Sequence, residues 1–329
     1  MEKRLNNLQV LRAFAAISIV LAHSITPAEN YGFKTHYMHR FAEFGANGVI
    51  FFFVLSGFIL VYVQRHVLPS PLRFFCARLT RVAPIYWILT LSLLLITYLF
   101  PKLFLSGVAG YEDKAAASLI FMSQFLMGEY PVLYVGWTIE YEMLFYVLMG
   151  LGLTLGGRAL AYPFVGVSLI MISLIFPDDL VVLEFLFGII LGLIYTKLKM
   201  FSALSILSLL IGIGLILMDL IYRPYAGSLD HHLFRYGVPA FFVIYGLLGI
   251  PQITPGLLTS IGDGSYSIYL IQVFTIPIFF KVIKMIGVGI YLSHDLLAVV
   301  CVIFTVIIGM GAYRFLEKPI STKMRNFCI

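Results

Sequence analysis

Long apolar runs separated by short polar stretches set the pattern of this chain. A bilayer core takes about 20 mostly apolar residues per helix. Ten such runs are found, centred in 8–26, 45–63, 85–100, 138–156, 159–176, 180–196, 202–221, 233–250, 261–280 and 296–314. They predict an all-α, polytopic membrane bundle of about ten transmembrane helices. The first run starts like a signal peptide, yet Arg12 interrupts it and nine more runs follow, so it is read as a retained helix. The longest stretch outside a run is 103–130. Within it, AAASLIFMSQFLM at 115–127 is too short to cross and predicts an external surface helix, with a re-entrant segment as the alternative.

Composition excludes the competing classes. Of 329 residues, 61% are hydrophobic and 12% charged, so a soluble fold would lack the polar residues needed to coat its exterior. The net charge of +6 is spread over short loops, whereas a nucleic-acid binder gathers its basic residues on one face. No nucleic-acid partner is expected. Cys76, Cys301 and Cys328 stand far apart, with no CxxC pair and no matching histidine spacing. Neither a disulfide framework nor a metal site follows.

Basic residues in short loops set orientation. With the N-terminus inside, thirteen of the 22 Lys and Arg residues fall on the inner side and seven on the outer, while Arg12 and Arg235 sit in or beside runs. Both termini are therefore expected in the cytoplasm.

A charged side chain at the bilayer centre costs about 2.5–3.5 kcal/mol on insertion scales, so such residues turn toward the bundle interior. Arg12 and His23 are eleven residues apart, roughly 1100° of helical rotation or about 20° past three turns, and so share one face. They stand about 16 Å apart along the axis. The plain alternative is a snorkelling arginine and a histidine satisfied by a neighbouring helix.

In SPLRFFCARLTRVAP, Ser70 suits a cap, Pro71 a first helical position and Pro84 a terminus, predicting a short interfacial helix. Arg78 and Arg81 would then project together, a guanidinium pair matched to phosphate oxygens. Ordinary positive-inside charge is the alternative. In GWTIEYEMLFY, Glu140 and Glu142 face about 200° apart, so one carboxylate is expected to point inward and the other toward the external mouth. Glu184, Arg235 and Asp263 lie at run edges, where anchoring, kinking and capping are the default roles. The glycine spacings in GIILG and GIG mark close helix packing.

With these residues in place, the chain resembles the membrane acyltransferase-3 family, in its exopolysaccharide acetyltransferase-like branch. The resemblance runs from Leu8 to about Pro319. It rests on the ordered series LRAFAAISIVLAH, NGVIFFFVLSGFIL, RLTRVAPIYW, GWTIEYEMLFY, EFLFGIILG, RYGVPAFFVIYG, SYSIYLIQ and RFLEKP. It implies a single domain over 1–329, with no appended soluble domain, in the bacterial cytoplasmic (inner) membrane. It implies acetyl transfer from cytoplasmic acetyl-CoA to a hydroxyl of a surface polysaccharide or its lipid-linked precursor. It would make His23 the catalytic histidine, Arg12 its motif partner, Arg78 and Arg81 the CoA-contacting pair, and Glu142 the glutamate of the tryptophan-to-tyrosine motif. Gln272 stands where many relatives carry histidine, and Glu140 where many carry a neutral residue.

Acyl transfer to an alcohol requires removal of the hydroxyl proton and stabilisation of an oxyanion. A buried imidazole serves as base or as transient acyl carrier. The competing reading is a transporter or flippase for a glycan or acyl-related substrate, since intramembrane Arg, His and Glu also line such pathways. No inverted pair of broken runs is evident in the two halves.

Overall fold

The computed structural model describes residues 4–35, 37, 38, 45, 47–66, 68–100, 111–222 and 233–325. Among these there is no β-strand. Helices α1 (Asn6–Asn30), α2 (Gly48–Gln64) and α3 (Pro71–Leu99) are followed by the short α4 (Tyr111–Leu119) and α5 (Ser123–Met127). Then come α6 (Trp137–Gly156), α7 (Arg158–Ile175), α8 (Leu183–Lys197), α9 (Ser202–Tyr222) and α10 (Val238–Gly249). The chain continues through α11 (Leu257–Asp263), α12 (Ser265–Ile286), α13 (His294–Ala312) and α14 (Lys318–Arg325). The fold is an all-helical membrane bundle. Among the described residues, eight helical segments are long and apolar enough to cross a bilayer, and Gly48–Gln64 and Leu233–Gly249 are apolar but shorter.

Two corrections concern the elements. Pro84 does not end a short helix: α3 runs through it as one helix of 29 residues. A proline inside a membrane helix removes one backbone hydrogen bond, here the one the Thr80 carbonyl would accept, and is tolerated inside a packed bundle; two residues before Pro84, the Tyr266 hydroxyl donates to the Val82 carbonyl at 2.7 Å. The surface helix expected at 115–127 is broken in two. Between the halves, Phe121 adopts φ +62°, a conformation uncommon for a bulky residue, and its ring packs on Tyr86 and Trp87 at 5.1 and 6.1 Å. Residues 103–110 of that loop, and Cys328, lie outside the described residues. Cys76 is disulfide-bonded, contrary to expectation, because residue spacing along a chain does not report spatial proximity. Cys301 is free and buried.

The chain divides into two compact units. The first comprises Met1–Ala22, Tyr37–Pro71 and Leu148–Ser265, the second His23–His36, Leu72–Val147 and Tyr266–Ile329. In the first, α2 and α8 pack nearly backbone to backbone. A Cβ on Gly57 would collide with the Phe185 carbonyl, and one on Gly188 with the Val54 carbonyl. Small residues permit this approach where apolar burial drives nothing between helices. Phe58, Leu55, Leu191 and Ile244 fill the core beside them. Asn7 ties down the α10–α11 connection, donating to the Leu247 and Pro251 carbonyls at 3.0 and 3.1 Å and accepting from the Ile253 amide at 3.1 Å.

The polar residues at the run edges have different tasks from those expected. Asp263 pairs with Arg4 at 2.7 Å instead of capping a helix. Arg235 pairs with Asp219 at 2.5 Å, both largely buried. Glu184 lies in the first turn of α8, fully buried against Gly237, with neither carboxyl oxygen hydrogen-bonded among the described residues.

Candidate active site

The second unit holds four of the five residues singled out from the sequence. His23 lies in the C-terminal half of α1. Its Nδ1 is fully buried and has no hydrogen-bond partner among the described residues. The Tyr134 ring meets the imidazole edge-on, centroids 5.5 Å apart at 70°. Gln272 of α12 is its polar side-chain neighbour, near enough for a weak hydrogen bond to the ring, although neither the His23 Nδ1 nor the Gln272 Oε1 makes one within ordinary limits.

The backbone that carries Tyr134 is held from two sides. Residues Tyr134–Gly136 form a 3-10 turn leading into α6. The Tyr269 hydroxyl donates to the Val135 carbonyl at 2.7 Å and exchanges a hydrogen bond with Thr138 at 3.0 Å. From the other side, Gly136 sits against the Tyr86 ring, and a Cβ there would approach Cε2 to 2.5 Å. Glycine at 136 is therefore required by close contact rather than by backbone conformation.

Glu140 and Glu142 diverge as the helical arithmetic requires. Glu140 is fully buried, and its two oxygens accept from the Ser123 and Gln124 amides at 2.9 and 2.8 Å. It thereby fastens the start of α5 to α6, a structural task. Glu142 accepts the Tyr146 hydroxyl at 2.5 Å and lies within electrostatic reach of Arg78, Tyr266 and Tyr269.

Arg78 is part-buried, its guanidinium 5.7 Å from the Phe74 ring centroid and 5.6 Å from that of Tyr146. Arg81 is exposed, close enough to interact electrostatically with Arg78 and Tyr146. The two arginines therefore form a graded pair, not the equal projecting pair expected. Because α3 continues through Pro84, its first turns are part of the bundle and one arginine is drawn inward. The Arg12 guanidinium stands 6.0 Å from the Phe52 ring, within the first unit.

Chemically, the second unit combines an imidazole with an unsatisfied buried nitrogen, a carboxylate bound to a phenol, and a part-buried guanidinium with an exposed one beside it. Comparison with known proteins supplies the class. Residues 5–314 match the model of the family described as "Acyltransferase domain", the acyltransferase-3 family. The chain is 31% identical over 322 residues to the "Exopolysaccharide production protein ExoZ" of Rhizobium meliloti (strain 1021), covering 87% of this chain and 92% of that protein.

The chain belongs to the acyltransferase-3 family. No solved structure matches it.

For this acyltransferase-3 protein, reading the sequence did not find Tyr134, Thr138, Tyr146, Tyr266 or Tyr269. A usable signal was present in α12, where Tyr266, Tyr269 and Gln272 recur every three residues in an otherwise apolar span and so lie along one side of the helix. Their polar tips need partners in a membrane interior. Three of the contacts they make are to backbone carbonyls, those of Val82, Val135 and Tyr269. No residue type in the sequence marks such a carbonyl.

Proposed function

We propose that this membrane acyltransferase moves an acetyl group from cytoplasmic acetyl-CoA to a hydroxyl of an exported polysaccharide or its lipid-linked precursor. The observation that carries this reading is the buried, unpartnered Nδ1 of His23 in the same compact unit as Arg78, Arg81 and Glu142. An imidazole is neutral over much of the physiological range and is suited to accept a hydroxyl proton there. The ExoZ relative, named for exopolysaccharide production, supports the acceptor class.

In this reading Arg81 meets the CoA phosphates first, and Arg78, desolvated and stacked on aromatic rings, takes the inner anionic group. His23 removes the acceptor proton. The alkoxide attacks the thioester carbonyl, the C–S bond breaks, and the imidazolium returns the proton to the leaving thiolate. If the acyl group instead rests on the imidazole, the same atoms move in two steps. Glu142, held by Tyr146, balances the charge of Arg78.

The test is release of CoA thiol from acetyl-CoA by the purified protein in membranes containing its native glycans, with mass spectrometry of those glycans for O-acetyl groups. His23→Ala abolishes both signals while membrane insertion is unchanged. Retained activity in that variant removes the imidazole from the mechanism.

A further inference from the structure

Gln272 is fully buried on α12. Its Nε2 donates to the Tyr269 carbonyl at 2.8 Å. A carbonyl only accepts, so the reversed amide would set two oxygens face to face, and chemistry fixes which end is which. The Oε1 is left without a partner among the described residues, as is the Nδ1 of the neighbouring His23. One atom can only accept and the other is able to donate. Gln272 neighbours the His23 ring, and each of these two atoms is the kind of group the other lacks.

We propose that Gln272 is a positioning residue for His23: its Oε1 accepts the Nδ1 proton and holds the neutral imidazole in the tautomer whose Nε2 lone pair faces the reactants. This rests on the reading that His23 acts in acyl transfer. A neutral imidazole has one donor and one acceptor nitrogen, so the bond made by one decides the role of the other. Ring rotation is opposed by the Tyr134 ring packed on its edge. Tyr269 couples the two contacts, because its carbonyl orients the Gln272 amide and its hydroxyl holds the Val135 carbonyl next to Tyr134. An amide differs from a carboxylate in this position: it sets the tautomer while favouring the imidazolium far less than a full negative charge would. Among the described residues, the titratable groups seen next to the ring and to Gln272 are the Tyr134 phenol and Tyr269.

The test uses the full-length protein in lipid nanodiscs with acetyl-CoA and native glycan, reading CoA release against pH. Gln272→Met keeps length and removes the acceptor. It lowers kcat at least tenfold and leaves the KM for acetyl-CoA within twofold. Gln272→Glu restores the acceptor and most of kcat, and moves the acid limb of the pH profile upward, since a carboxylate favours the imidazolium and the base must be neutral. A Met variant with unchanged kcat, or a Glu variant whose acid limb stays in place, overturns the proposal.

A measurement independent of turnover covers variants that fail to fold. In protein labelled with 15N-histidine, the His23 resonances are identified by their loss in His23→Gln, and a protonated Nδ1 with a bare Nε2 is expected. The opposite tautomer overturns the proposal. Absence of CoA release in the unaltered protein, or full activity in His23→Ala, overturns instead the acyl-transfer reading beneath it.

Discussion

Tyr146 and Glu142, one turn apart on α6, share a 2.5 Å hydrogen bond from phenol to carboxylate, and the Arg78 guanidinium lies 5.6 Å from the Tyr146 ring centroid. The bond restrains the carboxylate, and the ring beneath the guanidinium replaces part of its lost hydration. Tyr146→Phe keeps the ring and removes the bond. Folded stability falls by about 1.5–3 kcal/mol, the ordinary value for a bond to a charged group. The KM for acetyl-CoA rises several-fold as Glu142 and Arg78 lose their register. Thermal unfolding and donor titration check the two effects separately.

Arg78 and Arg81 differ in burial, and their substitutions separate accordingly. Arg81→Ala leaves stability within about 0.5 kcal/mol, as is usual at an exposed site, and raises the donor KM in low salt more than in high salt, where exposed charges are screened. Arg78→Ala raises the KM about tenfold at all salt concentrations and destabilises the fold, since Glu142 keeps its charge without this counter-ion. Donor titrations at two ionic strengths check both.

Glu140 is fully buried and bonded to two successive amides. Glu140→Ala leaves both amides unsatisfied and costs about 3 kcal/mol or more on the same scale, with the loss concentrated at α5. Limited proteolysis between Phe121 and Gly128 is accelerated in this variant. Glu140→Gln retains one acceptor oxygen and shows an intermediate rate.

At the α2–α8 contact, Gly57→Leu and Gly188→Leu each drive a side chain into a carbonyl of the facing helix. Repacking of two whole helices is the only relief, so the yield of folded protein drops sharply. Gly214→Ala, where a Cβ meets nothing within 4 Å, leaves that yield unchanged. Size-exclusion profiles of the solubilised variants give the comparison.

Hydropathy and helical periodicity sufficed for the helical class, for the placement of the long apolar segments, for the divergence of Glu140 from Glu142, and for the packing role of the glycines in GIILG, whereas in GIG Gly212 packs against Val243 and Gly214 meets nothing. Each of these depends on burial of apolar surface or on rotation about a single helix axis, quantities that residue order alone specifies. The inward turn of Arg78 was not legible, because it depends on α3 continuing past Pro84 as one helix, and a proline in an apolar run reads equally well as a helix terminus. The same holds for Gln272 beside His23, for Tyr269 on the Val135 carbonyl and for Asp263 on Arg4. Hydrogen bonds act over about 3 Å, so their partners exist only once the chain has folded, and a backbone carbonyl carries no residue name by which a sequence could announce it.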